Sequence, residues 1–187
     1  VTIYALDDAS FSYPRLSYCV SDTDPIPTLT ASQTLIGGTF TSTNGLSLTS
    51  SATGIIDLSA STAGTYTVTF TTAGNCPQSS SVNIRINDLD DASFSYTKAA
   101  YCINESDPSA VITGITSGTF SSLSGLVFTN TSSGTIDLDA SIPGTYTVTY
   151  TTSGTCTNTS SFEITINALD NADFNYNSPT YCVGGTD

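Results

Sequence analysis

Gly64-Thr65-Tyr66-Thr67-Val68-Thr69-Phe70 is the stretch on which the fold turns. Tyr66, Val68 and Phe70 alternate with Thr65, Thr67 and Thr69. Side chains of an extended strand point to opposite faces with a period of two. One face of this strand is therefore apolar and the other is a row of threonines, whose branched Cβ suits extended backbone. That pattern belongs to an antiparallel sheet with one wet side. The stretch returns as Gly144-Thr145-Tyr146-Thr147-Val148-Thr149-Tyr150. Val82, Ile84 and Ile86 alternate in the same way, as do Phe162, Ile164 and Ile166. Phe11 with Tyr13 and Phe94 with Tyr96 are shorter cases. No window carries an apolar period of about 3.6 residues over helical length. Turn signals recur at roughly ten-residue spacing: Gly37-Gly38, Asn44-Gly45, Thr53-Gly54, Ala63-Gly64 and Ala73-Gly74. About seven short strands in a unit of about 80 residues predict an all-β fold, a β-sandwich of immunoglobulin type.

Working outward, the whole chain proves to be a tandem repeat. Leu6-Asp7-Asp8-Ala9-Ser10-Phe11-Ser12-Tyr13 returns as Leu89 to Tyr96 and, weaker, as Leu169 to Tyr176. Tyr18-Cys19 returns as Tyr101-Cys102 and Tyr181-Cys182. Val1 to Tyr4 matches Ile84 to Asn87 and Ile164 to Asn167, the closing strand of each repeat. The expected organisation is a closing strand of a preceding repeat at 1–4, one immunoglobulin-like repeat at 5–87, a second at 88–167, and the start of another at 168–187. The framing, and an opening residue that is not Met, predict a slice of a longer array. Tyr66 and Tyr146 each open the penultimate strand after a Gly, as in the tyrosine corner of immunoglobulin-like domains. Both are expected to be structural, the ring in the core and the hydroxyl on the backbone of the bend.

Composition removes several classes of function. Of the 187 residues, 16 are acidic and three are basic (Arg15, Arg85 and Lys98), for a net charge of −13. Phosphate backbones and anionic lipid both need a Lys/Arg surface, so neither nucleic acid nor a membrane surface is an expected partner. No apolar run is long enough to insert in a membrane as a helix. The chain has no His, Met or Trp. Nucleophilic triads and His-ligated zinc or haem cannot be built without His, and the expectation is that the chain is not an enzyme and has no catalytic residue. Asp57 and Asp137 recur in register, which fits a turn or cap role better than a catalytic pair converging in one cleft.

Five cysteines fall as Cys19 and Cys76, Cys102 and Cys156, and Cys182. Each repeat holds two, so the economical expectation is one disulfide per repeat, Cys19 with Cys76 and Cys102 with Cys156, in an oxidising compartment. Two thiols per repeat without His are too few ligands for a metal clip. No cofactor is expected, with Ca²⁺ as the one candidate. Its first suspects are the junction acids Asp7, Asp8, Asp90, Asp91 and Asp170, followed by Asp22, Asp24, Glu105 and Asp107. Hard cations want several oxygens in one compact loop, and no dense acidic loop occurs. The alternative is a set of solvated turn carboxylates that keep the surface soluble. Asn104, Asn130 and Asn158 head glycosylation sequons, which matter only in a eukaryotic source.

The series Tyr101-Cys102, Asp107-Pro108, Gly118-Thr119-Phe120, Gly125-Leu126, Gly134-Thr135-Ile136-Asp137-Leu138, Ser141 to Tyr146, Val148, Tyr150, Cys156 and Ile164-Thr165-Ile166 resembles the immunoglobulin-like repeats of giant SprB-like gliding adhesins of Bacteroidota. The resemblance covers essentially the whole chain. It implies export by type IX secretion, display at the cell surface as a long filament, and attachment to external surfaces or polysaccharide through other regions during gliding. The partners it implies for this segment are neighbouring repeats of the same chain. Two other readings stay open. One is a small extracellular subunit that polymerises by donating its opening strand to a neighbour. The other is a non-catalytic carbohydrate-binding region of a secreted enzyme, which would need an exposed aromatic platform.

Overall fold

The computed structural model describes residues 1–30, 37–176, 180 and 183. Tyr181 and Cys182 lie outside them. All described regular structure is β. The first repeat carries β1 (Phe11–Ser12), β2 (Ser17–Cys19), β3 (Thr28–Leu29), β4 (Gly38–Ser42), β5 (Ser47–Leu48), β6 (Ile56–Asp57), β7 (Gly64–Thr72) and β8 (Ser79–Asn87). The second carries β9 (Phe94–Ser95), β10 (Ala100–Cys102), β11 (Val111–Ile112), β12 (Gly118–Ser121), β13 (Val127–Asn130), β14 (Thr135–Asp137), β15 (Gly144–Thr152) and β16 (Thr159–Asn167). Each set has one four-stranded sheet, β2-β8-β7-β4 and β10-β16-β15-β12, and two small pairs, β1-β3 with β5-β6 and β9-β11 with β13-β14. The chain is all-β, built of tandem immunoglobulin-like sandwiches.

By compactness the chain divides into two units. The first holds Val1–Phe94, Ile112–Thr119 and Tyr150–Ser160, and the second holds Ser95–Val111, Phe120–Thr149 and Ser161–Asp187. The core of the first unit is an apolar layer in which Phe40, Ile56, Leu58, Val68, Phe70, Ile84 and Ile86 are fully buried. Strand β7 alternates along its length, with Tyr66, Val68 and Phe70 in the core. Its outward threonines are zipped to β8 by side-chain hydrogen bonds: Thr67 Oγ1 donates to Asn83 Oδ1 at 3.0 Å, and the hydroxyls of Thr69 and Ser81 pair at 2.9 Å and those of Thr71 and Ser79 at 2.8 Å. Cross-strand pairs of this kind each stabilise a sheet by a few tenths of a kcal/mol, up to about 1. Gly54 has a φ of 66°, and a Cβ there would meet the Phe40 ring at 2.7 Å, so only glycine fits that bend. In the second unit Ile136, Leu138, Ile164 and Ile166 are buried, as are Phe120 and Val148.

β2 runs parallel to β8 and ends with Cys19 opposite Asn87. β10 runs parallel to β16 and ends with Cys102 opposite Asn167. Thus the first cysteine of each repeat sits at the finishing end of its last strand. The second cysteine, Cys76 or Cys156, sits in the hairpin before that strand begins. Residues 1–4, expected as a closing strand, form none, and Val1 and Ile3 are exposed. Residues 169–176 form none either, and Phe174 and Tyr176 stand exposed, edge to face at 5.7 Å. A strand needs a neighbouring edge to bond, and no described strand pairs with either segment.

Candidate functional site

One disulfide is formed among the described residues. It joins Cys19 to Cys156, across 137 residues of sequence, with Cα atoms 5.6 Å apart. Cys76 and Cys102 are free thiols, each half-buried. The expected pairs, Cys19 with Cys76 and Cys102 with Cys156, are therefore corrected. The reason is the length of the last strand of each repeat. β8 has nine residues, and a strand rises about 3.3 Å per residue. Cys19 at its far end and Cys76 beyond its near end are held about 30 Å apart, whereas a disulfide needs Cα atoms within about 7 Å. The nine residues of β16 separate Cys102 from Cys156 in the same way. The bond that does form ties the finishing end of the first sequence repeat to the hairpin of the second, and both cysteines lie in the first compact unit.

Asp90, five residues before β9 is complete, anchors that hairpin. Thr152 Oγ1 donates to Asp90 Oδ2 at 2.8 Å, and Cys156 N donates to Asp90 Oδ1 at 3.3 Å. The backbone of Asp90 takes part as well: its N–H donates to Cys156 O at 2.8 Å, and its carbonyl accepts from Asn158 Nδ2 at 2.9 Å. A Cβ on Gly154 would stand 2.5 Å from Asp90 Oδ2, so the hairpin has a glycine where the carboxylate comes close. Asp90 and Cys156 are 8% and 3% exposed. Asp7 does the same work in the first repeat: Thr72 Oγ1 donates to its Oδ2 at 2.9 Å, and its N–H donates to Cys76 O at 3.0 Å. Nothing in the sequence distinguishes such an anchor from a solvated acid, and the one signal available was the repeated spacing of Asp, Thr and Cys.

The other acids suspected of holding Ca²⁺, Asp170 apart, are bonded inside the protein. Asp8 accepts from Ser10 N and Asp91 from Ser93 N, both at 2.9 Å. The Ser10 N–H and the Ser93 side chain hold these exposed carboxyls below the usual range. Asp24 accepts from Leu58 N at 2.9 Å, and Asp107 from Leu138 N at 3.0 Å. Asp22 accepts from Cys19 N at 2.9 Å and from Arg15 Nη2 at 3.1 Å. Glu105 accepts from Cys102 N at 3.0 Å and pairs with Lys98, which lowers its pKa and raises that of Lys98. Asp170 lines a groove beside Cys102. No three His, Cys, Asp or Glu side chains among the described residues gather as metal ligands.

The remaining singled-out residues make local bonds. Tyr66 OH donates to Thr62 O at 2.8 Å, and Tyr146 OH donates to Ile142 O at 2.6 Å. Asp57 and Asp137 accept from the N–H three residues on, Ala60 at 3.0 Å and Ala140 at 2.9 Å. The Ser59 hydroxyl, above all, holds the Asp57 carboxyl below its usual pKa. Of the sequon residues, Asn158 spends its side-chain amide on Asp90, and Asn130 Oδ1 accepts from Ser132 N at 2.8 Å.

No protein-family model matches the chain, and no curated protein is similar to it. Solved structures do match. Mouse cadherin-23 EC22-24 is 14% identical with a TM-score of 0.35, covering 89% of this chain and 68% of that one. Human CDH23 EC21-23 is 11% identical with a TM-score of 0.38, covering 82% and 71%. Drosophila N-cadherin EC1-4 is 12% identical with a TM-score of 0.36, covering 83% and 47%.

Proposed function

We propose that the chain is a load-bearing segment of an extracellular adhesin stalk, in which tandem immunoglobulin-like repeats project a binding end away from a cell surface. The observation that carries this reading is the Cys19–Cys156 bond between two successive sequence repeats. A disulfide confined to one repeat would stabilise that repeat alone, whereas this one binds repeat to repeat, which is what a stalk under tension requires. Disulfides persist in oxidising compartments outside the cytosol, in keeping with an extracellular site. Repeats that contact chiefly their neighbours let length grow by addition, and a net charge of −13 keeps parallel stalks apart. In this reading each sequence repeat, 5–87 and 88–167, is the increment by which the stalk lengthens. Type IX export, gliding, and attachment to surfaces or polysaccharide through other regions follow from the adhesin resemblance and belong to the same proposal. The segment performs no chemistry and needs no cofactor.

The test is the size of the native polypeptide on a reducing denaturing gel with mass spectrometry. A chain many times the 19.3 kDa of these residues, with the repeat recurring along it, is the expected result. A chain of about that mass would overturn the array and leave a polymerising subunit.

A further inference from the structure

We propose that the Cys102 end of the second repeat and the β7–β8 hairpin carrying Cys76 are the two halves of one covalent docking junction. Each receives another repeat of this type and closes on it with a disulfide. Cys102 takes the hairpin cysteine of the repeat that follows, and Cys76 takes the strand-end cysteine of the repeat that precedes. The inference deepens the stalk reading and rests on it for the placing of those repeats on the same polypeptide.

The bonded pair shows what each half needs. Cys102 stands where Cys19 stands, opposite the last residue of the parallel closing strand. The backbone around the two is held alike. Cys19 N donates to Asp22, which Arg15 holds, and Cys102 N donates to Glu105, which Lys98 holds. Cys76 stands where Cys156 stands, its carbonyl accepting from the N–H of an aspartate whose carboxylate also takes a threonine hydroxyl. Burial separates the joined hairpin from the other. Cys156 and Asp90 are buried, while Cys76 and Asp7 are half-buried and the Cys76 thiol lies 3.9 Å from Tyr4 O. At the opposite end a groove of about 560 Å³ is lined by Cys102, Asn104, Asn167, Ala168, Leu169 and Asp170. Its counterpart in the first repeat begins at Cys19, whose Sγ lies 3.6 Å from Thr155 O of the joined hairpin. The groove therefore has the position, the thiol and the room for a Thr-Cys hairpin of the same kind.

Closing each junction converts two thiols into one disulfide. Both sulfurs give up their protons and together two electrons. A disulfide oxidant, such as the cystine of a protein thiol oxidase or oxidised glutathione, takes both electrons and both protons and leaves as two thiols.

The test is a disulfide map of the full chain as its source makes it, with free thiols alkylated before digestion by an aspartate-directed protease under non-reducing conditions. The expected result is a Cys19–Cys156 cross-link, a Cys102 peptide joined to a hairpin cysteine of the following repeat, a Cys76 peptide joined to a Tyr-Cys cysteine of the preceding one, and loss of alkylation at both. Alkylated Cys76 and Cys102 in a long chain would overturn the inference and leave the stalk reading standing. A Cys102–Cys76 bond between separate short chains would support the junction and sink the single-polypeptide array.

Discussion

At the scale of residues, two buried tyrosines report on the packing of each sandwich. Tyr13 OH donates to Gly54 O, and Tyr96 OH donates to Gly134 O. Both rings are 6% exposed. Burial pushes both pKa values well above the ordinary value near 10, with a smaller push from the neighbouring Tyr18 or Tyr101. A group whose pKa is raised by folding stabilises the fold fully below its unfolded pKa. That stability is lost as pH rises from about 10 toward the folded value. Burial raises the pKa of the fully buried Tyr150 as well, so in a spectrophotometric titration three of the ten tyrosines should ionise late and together with unfolding. Ten that titrate as one class near pH 10 would contradict the burial described. Asp90 is the other telling residue. Asp90→Ala leaves the Thr152 hydroxyl and the Cys156 N–H without their buried acceptor, a loss of about 3 kcal/mol. Asp7→Ala, at a half-buried site, should lose about 1 kcal/mol. Urea midpoints of the two variants check the ranking, and equal losses would mean that the joined hairpin gains nothing from its cover.

At the scale of elements, β8 and β16 decide the disulfide. Each is long enough to put the two cysteines of its own repeat at opposite ends. If strand length is the cause, reduced chain refolded in a glutathione buffer should regain Cys19–Cys156 and form neither Cys19–Cys76 nor Cys102–Cys156 within one chain. Cys19→Ser should leave Cys156 free rather than divert it to Cys102, read from peptides alkylated before digestion. A Cys102–Cys156 bond in that variant would show that the strand does not hold them apart. The same elements show what a sequence discloses. The alternation in Gly64–Thr72 and Gly144–Thr152 is a local signal, because side-chain facing repeats every two residues, and the burial of Tyr66, Val68 and Phe70 was legible from it. So was the repeat itself. The pairing of Cys19 was not legible, because it depends on a three-residue parallel strand, β2, whose partner lies nearly 70 residues away and whose sequence, Ser-Tyr-Cys, carries no period. Counting two cysteines per repeat treats the repeat as the bonded unit, and the staple ignores that boundary. The anchoring role of Asp90 was hidden for a similar reason, since an acid at a junction reads the same whether it faces water, a cation or a buried threonine.

At the scale of the whole molecule, the staple sets how far the chain can be drawn out. A load applied between residues 1 and 187 runs along the shortest covalent path, down the chain to Cys19, across the sulfurs and on from Cys156. The stretch between the two cysteines, which are 137 positions apart in sequence, is out of that path, leaving about 50 of the 187 residues to extend. An extended chain spans about 3.5 Å per residue, so the bond conceals roughly 480 Å of contour length. Closing a loop of that size also contributes on the order of 5 kcal/mol in the chain-entropy model, but under force the concealed length matters more than the stability. A repeat that unfolds inside the loop adds nothing to the length of a stalk. Pulled by its ends in a single-molecule instrument, the oxidised chain should show a final extension shorter by about 480 Å than the same chain in a reductant. Cys19→Ser should behave as the reduced chain does, with or without reductant. An oxidised chain that releases its full length would place the two cysteines on separate load paths and remove the mechanical reason for joining one repeat to the next.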